Sequence, residues 1–213
     1  MAHVLVIGGS RGIGLEAVRQ ALEAGHRVRV LARTARRIPV RHPNLETMAG
    51  DALDPVTLRR ALDGVDAVIL ALGIAAGPGM VLRPVTLFSR ATRLLLPAMR
   101  EAGVPRLICV TGFGAGDSRD RGGCLHRLAF AVFLKRAYDD KDIQEQLIRD
   151  SDREWVIARP GILTDGRRTG RYRVMVEPET WRLGTISRAD VADFLVRQID
   201  QDRYIGTTPA LAG

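Results

Sequence analysis

Short unbroken apolar runs punctuate the chain at residues 4–7, 67–72, 107–110 and 155–158, with weaker ones at 28–31, where Arg29 interrupts, and at 45–49. Continuous rather than alternating hydrophobicity predicts strands buried on both faces of a parallel sheet. The segments between them carry a helical period. Residues 12–24 place Ile13, Ala17, Val18, Ala21 and Leu22 on one face, and Gly25 supplies the stop. A helix over 55–62 starts with Asp54 as N-cap and Pro55 at its first position. A longer one runs from about 86 to 102, and Pro97 inside it predicts a kink or a break. Residues 125–149 read as helix in one or two segments, and 188–199 as a helix opened by a Ser187 cap. Short strands are predicted at 172–176 and near Tyr204.

No internal repeat or low-complexity linker divides this alternation. It predicts an α/β fold, a doubly wound parallel sheet in three αβα layers, forming a single domain over residues 1–213. Residues from about 160 to 213 would form small elements on the substrate side. Ligands of such a sheet bind where the strands end, near the switch in strand order.

Composition narrows the class. At 213 residues, with 46% hydrophobic and 26% charged, the chain has the profile of a globular protein with its own core. Its two cysteines (Cys109, Cys124) and four histidines (His3, His26, His42, His126) fall in no metal-ligand spacing, which excludes a structural zinc site. No apolar run approaches the ~18 residues of a membrane span. The N-terminal run leads straight into glycines with no basic segment before it, so a cytoplasmic protein without a membrane partner is expected.

The formal charge is +8, and lysine stands only at 135 and 141, leaving arginine as 30 of the 32 basic residues. Such a balance raises the question of a polyanion partner. The arginines are spread evenly, aromatics are 5%, and no nucleic-acid-binding motif occurs. A solvated arginine-rich surface is therefore favoured, with no nucleic-acid partner. In a chain so poor in lysine, each lysine invites a functional question.

The sharpest motif is Gly8-Gly9-Ser10-Arg11-Gly12-Ile13-Gly14, set between the first strand and the first helix. Glycines permit the tight turn and let a pyrophosphate approach the backbone, while the helix tip offers free N–H groups and partial positive charge. That context favours dinucleotide binding over a plain structural turn. An NAD site would place Asp or Glu at the end of the second strand, on the ribose 2′-hydroxyl. Here the strand ends in Arg33-Thr34-Ala35-Arg36-Arg37, with no acid. Guanidinium groups pair well with a 2′-phosphate, so Arg33, Arg36 and Arg37, with Arg11 from the loop, point to NADP(H) in preference to NAD(H). An arginine-rich surface loop is the bland alternative. Ala71-Leu72-Gly73 closes the fourth strand with small residues, letting backbone pass close to a cofactor through Leu72 and Gly73.

The GxxxGxG spacing of this loop resembles the short-chain dehydrogenase/reductase superfamily and its Rossmann fold. The later motifs refine the resemblance: Thr111-Gly112-Phe113-Gly114-Ala115-Gly116, Asp140-Lys141 with Glu145, Trp155 through Gly161, and Leu163-Thr164-Asp165-Gly166. Together they are similar to the atypical single-domain NAD(P)H-binding group that includes biliverdin reductase B, also a flavin reductase, and the nitrogen-metabolite-repressor-like redox sensors. The resemblance covers nearly the whole chain. It implies that Asp51, followed by Ala52, bonds the adenine ring; a capping turn is the plain alternative. It also implies that Thr111 and Gly112 border the nicotinamide, that Lys141 holds its ribose, and that Pro160, Gly161 and Ile162 wall it.

The superfamily's Ser and Tyr-xxx-Lys set is not reproduced. Ala137 stands four residues before Lys141, while Tyr138 stands three before it, about 100° round a helix from the usual place. The serine position falls on Thr111 or Gly112. Lys141, Thr111 and Tyr138 are therefore the candidate catalytic residues, and an Asp140/Lys141/Glu145 ladder on a solvated helix face is the structural alternative. The Gly112 to Gly123 loop reads as a lid, and apolar residues from Leu125 to Leu134 as core or as pocket lining.

Three functions follow from this reading. The first is an NADPH-dependent reductase passing hydride to a planar small molecule such as a flavin, quinone or tetrapyrrole, with positioning above the nicotinamide and a proton from solvent. The second is a non-catalytic NADP(H)-binding redox sensor. The third, an NAD(P)-dependent epimerase or dehydratase, fits less well because only about fifty residues follow Pro160. A monomer or homodimer is expected.

Overall fold

The computed structural model describes residues 1–74, 85–116 and 135–213. Six parallel strands build the sheet: β1 (His3–Ile7), β2 (Arg27–Ala32), β3 (Leu45–Ala49), β4 (Ala67–Leu70), β5 (Arg106–Val110) and β6 (Glu154–Pro160). They lie in the order β3-β2-β1-β4-β5-β6. The order reverses between β1 and β4, which creates a crevice above the carboxyl ends of those two strands. After β6 the chain adds β7 (Ile162–Thr164), β8 (Arg173–Met175), β9 (Thr185–Ser187) and β10 (Ala210–Ala212). β10 extends the main sheet parallel to β6, β8 closes the edge antiparallel to β10, and β7 pairs with β9 in a separate small ribbon.

The alternation along each buried strand separates two cores. Val4, Val6, Val28 and Val30 point to one face, covered by α1 (Gly12–Glu23) and α5 (Arg188–Arg197). Leu5, Ile7 and Leu31 point to the other, covered by α2 (Pro55–Leu62), α3 (Leu87–Glu101) and α4 (Lys135–Arg149). This is the predicted three-layer, doubly wound Rossmann arrangement.

The predicted caps are present. The Asp54 carboxylate accepts from the amides of Val56 and Thr57, and Ser187 Oγ accepts from the Asp190 amide. α3 runs through Pro97 without a break. One lost backbone hydrogen bond is tolerated because Phe88, Ala91, Leu95, Ala98 and Met99 bury a continuous face of that helix. The last strand is Ala210–Ala212 rather than a segment near Tyr204. Tyr204 instead lies in a turn and packs its ring 5.4 Å from that of Phe194. The proposed lid beyond residue 116 and the apolar stripe over 125–134 lie outside the described residues.

Among the described residues, no helix is long and apolar enough to cross a membrane.

Candidate functional site

The residues singled out by sequence gather along the carboxyl ends of β1 to β6. β1 delivers the glycine loop, which turns back over the end of β4. At Gly8, φ is +92° and a Cβ would stand 2.5 Å from the Ala71 carbonyl oxygen, so only glycine fits. Gly14 is held just as tightly, because a Cβ there would run into the Gly8 carbonyl. Gly12 differs. Its φ is +57°, but among the described residues only Arg188 comes within 4 Å of its Cβ position.

α1 starts at this loop. Arg11 is its N-cap position and makes no side-chain cap, and its first turn holds no acidic residue. The opening amides of the helix therefore face outward without a side-chain acceptor, an arrangement that fits an anionic ligand. Ser10 and Ile13 lie partly buried in the same turn.

The second strand ends beside this loop. Arg33, Arg36 and Arg37 are all exposed, the last two on a single helical turn at Ala35–Arg37. No acidic residue occurs between Ala32 and Arg41. At the end of β3, the exposed Asp51 accepts from the Leu53 amide at 3.0 Å, a local capping turn, and Ala52 is buried behind it. Among the described residues, nothing lies within 4 Å of where a Cβ on Gly73, past β4, would stand.

A second cluster forms at the end of β5. The Lys141 ammonium donates to the Thr111 carbonyl oxygen. Lys141 Nζ also lies 5.1 Å from the Phe88 ring centre and 5.6 Å from that of Tyr138. Burial pushes the Lys141 pKa down to about 8, although its electrostatic interactions with Cys109 and Glu145 pull the other way. Tyr138 presses on the same loop, since a Cβ on Gly112 would stand 2.6 Å from its hydroxyl. Burial, helped by the Glu145 charge, pushes the Tyr138 phenol up to about 12. The structure thus brings Tyr138, Lys141, Thr111 and Gly112 together despite the shortened Tyr-to-Lys spacing.

The Thr111 side chain itself turns inward. It is 4% exposed and its hydroxyl donates to Glu145 Oε1 at 2.7 Å. Only the backbone carbonyl of Thr111 meets Lys141. The solvated-ladder alternative for α4 does not survive either: Asp140 and Glu145 are buried, and each reaches a different element. Asp140 caps α3, accepting from Phe88 and Ser89 amides at 2.8 and 3.3 Å. Glu145 pairs with Arg159 of β6, whose Nη2 is 2.6 Å away.

β6 supplies the remaining wall. Pro160 is buried, the Gly161 amide donates to Leu211, and Ile162 presents a side chain that is half exposed. Gly161 packs so closely on Gly184 that a Cβ would collide with its carbonyl.

A family model described as NAD(P)H-binding matches residues 8–202, from the glycine loop past the end of α5. The chain belongs to this NAD(P)H-binding family. It is 24% identical to the photosystem II assembly factor Ycf39 of Synechocystis, over 99% of this chain and 62% of that protein. It is 29% identical to an NAD(P)H azoreductase of Xenophilus azovorans, over 74% of this chain and 47% of that protein. The chain thus spans roughly half of these curated relatives' length. In fold it is similar to the anaerobilin reductase ChuY of Escherichia coli O157:H7, with a TM-score of 0.81, 23% identity and coverage of 99% and 96% of the two chains. Membership agrees with the resemblance read from the GxxxGxG loop.

Within this NAD(P)H-binding frame, two groups escape a sequence reading. Arg188 stands against the glycine loop from 176 residues away, and nothing distinguishes it among 30 arginines. The Arg159–Glu145 pair carries a fainter signal: an arginine directly after the apolar run 155–158 of a buried strand needs a buried partner.

Proposed function

We propose that this protein is an NADPH-dependent oxidoreductase that reduces a planar small molecule of the flavin, quinone or tetrapyrrole kind. The observation that carries this reading is the pairing at the ends of β1 and β2. A glycine loop leads into a helix tip without a side-chain cap, next to three exposed arginines in a segment, 33–41, that holds no acidic residue. The amides of Gly12, Ile13 and Gly14 would hold the pyrophosphate, while Arg33, Arg36 and Arg37, with Arg11, would take the 2′-phosphate. Gly8, Gly9 and Ser10 shape the turn, Leu72 and Gly73 leave room for the ribose, and Asp51 with Ala52 borders the adenine.

The bound reduced nicotinamide supplies hydride. The chain's own residues orient it: Lys141 would hold the ribose hydroxyls, Gly112 and Pro160-Gly161 would flank the ring, and Ile162 would offer an apolar face for a flat acceptor. Tyr138 stays protonated across the physiological range and can donate a hydrogen bond to an acceptor oxygen. The Thr111 hydroxyl is engaged by Glu145, so it does not serve as a serine-like donor beside Tyr138. Acceptors that take their proton from solvent after hydride transfer suit such a site better than simple ketones. Reductase names among the relatives, for azo compounds and for anaerobilin, support the same class. The scheme needs one chain, as a monomer or within a homodimer.

The second reading is an NADP(H)-binding sensor without turnover. It is favoured by the engaged Thr111 hydroxyl and by the likeness to an assembly factor. Calorimetric titration with NADPH and NADH, followed by NADPH oxidation against a flavin, a quinone and a linear tetrapyrrole, separates the two. Turnover with any of these acceptors supports the reductase. Tight binding with no oxidation across the panel selects the sensor, and no binding removes both.

A further inference from the structure

Arg188 opens α5, and its backbone position is fixed by the Ser187 cap. The Asp190 carboxylate pins the neighbouring turn to the same helix start, accepting from the Thr169 and Gly170 amides at 2.7 and 2.9 Å and from Thr169 Oγ1 at 3.0 Å. From this anchor the Arg188 side chain runs across the glycine loop. Its Cδ and Nε lie 3.8 and 3.9 Å from where a Cβ on Gly12 would stand. Its Nη1 donates to Asp165 at 2.6 Å, and the Asp165 side chain is 91% exposed. A cleft of about 640 Å³ opens here, with Gly12, Gln20, Asp165, Arg167 and Arg188 among its walls.

We infer that Arg188 is a further cofactor-binding residue: its guanidinium exchanges Asp165 for the pyrophosphate held over Gly12, so that Asp165 is a placeholder anion competing with the dinucleotide. This rests on the reading of the glycine loop given above.

Three features support it. A pyrophosphate brings two negative charges, and the first turn of α1 offers the partial charge of its tip with no acidic residue; Glu16 and Glu23, further along α1, line the cleft but are paired with Arg19 and Arg168. A guanidinium complements phosphate oxygens with paired, charge-assisted hydrogen bonds. The bond to Asp165 is held in open water, where an ion pair contributes little, so its exchange is nearly free. Since the Arg188 backbone is anchored, only side-chain torsions have to change.

The test measures dissociation constants of NADPH, NADH and ADP-ribose for the full chain by calorimetry. ADP-ribose carries the pyrophosphate but neither nicotinamide nor 2′-phosphate. Arg188→Ala should weaken all three ligands roughly 10- to 100-fold, with partial recovery in Arg188→Lys. Asp165→Asn should tighten all three by roughly two- to fivefold, and this gain should vanish in the Arg188→Ala background. An Arg188→Ala protein that binds ADP-ribose like the wild type overturns the inference, as does a loss confined to NADPH. Asp165→Asn affinities equal to wild type overturn the placeholder role. A wild-type protein giving no heat with any of the three ligands overturns the cofactor reading itself, a distinct result.

Discussion

Arg159 and Glu145 meet as a two-pronged ion pair sealed inside the protein, with Nε 3.1 Å from Oε1 and Nη2 2.6 Å from Oε2. The same carboxylate accepts from the Thr111 hydroxyl, and the Arg159 guanidinium stacks 5.1 Å from the Trp181 ring. One buried anion therefore joins α4, β6 and the loop after β5. Its net worth against an apolar replacement is small in general, but removing half of a buried pair is costly. Glu145→Gln keeps an oxygen for Thr111 while withdrawing the charge that Arg159 uses through two nitrogens. It should lower unfolding stability by about 3 kcal/mol. Denaturant titration checks this, and a loss below about 1 kcal/mol would show that the pair is dispensable.

Lys141 sets a pH dependence. Its amine, lowered by burial to about 8, is charged below that pH and neutral above it. If the ammonium holds the cofactor ribose, NADPH affinity and turnover should both fall as pH rises through about 8. Lys141→Met should flatten that limb and reduce affinity at pH 7 by roughly tenfold. Stability carries the opposite sign. Above pH 8 the unfolded chain still binds a proton that the folded chain has released, so unfolding free energy should rise with pH towards the ordinary lysine value of 10.5. A turnover profile that keeps its alkaline limb in Lys141→Met would assign that limb to another group.

The arginine cluster at the end of β2 is tested by charge reversal. Arg33→Asp removes a guanidinium from the proposed 2′-phosphate position and adds the carboxylate that a 2′-hydroxyl would use. NADPH should bind roughly 100-fold more weakly, while NADH affinity holds or improves. Paired titrations decide it. Equal losses for both nucleotides would contradict the 2′-phosphate assignment.

Part of this architecture is legible in the sequence and part is not, for physical reasons. Strands β1, β4, β5 and β6 carry apolar runs buried on both faces, which announce them, β2 shows the same signal interrupted by Arg29, and the caps at Asp54 and Ser187 are local chemistry. β7, β9 and β10 have three residues each and are held by pairing with distant partners, so no periodicity can form. α4 shows the same limit in its side chains. Spacing on one helix suggests a ladder of Asp140, Lys141 and Glu145, yet each reaches another element, an α3 terminus, the Thr111 carbonyl and Arg159, and Glu145 also keeps a partner on its own helix, Arg149 at 3.4 Å. Helical spacing records which residues share a face and is silent on what that face meets.

The glycine loop separates binding from folding. Gly12 and Gly14 occupy one turn, but their surroundings differ. Gly14 is packed against the Gly8 carbonyl, so Gly14→Ala forces the loop apart and should destabilise the protein by about 1–3 kcal/mol. At Gly12 a Cβ would meet, among the described residues, only Arg188 at ordinary contact distance, and the constraint there is a φ of +57°, which costs an L residue about 1–2 kcal/mol. Valine at Gly12 would add the steric penalty of β-branching to that strain, mixing a folding defect with any binding defect. Gly12→Ala is the cleaner variant. It should unfold cooperatively with a melting temperature lower by roughly 2–8 °C. Its methyl group, set where a pyrophosphate would lie, should cut NADPH affinity by at least about tenfold. Melting and titration of the same sample distinguish the causes, because a loop that merely connects β1 to α1 would show the first effect without the second.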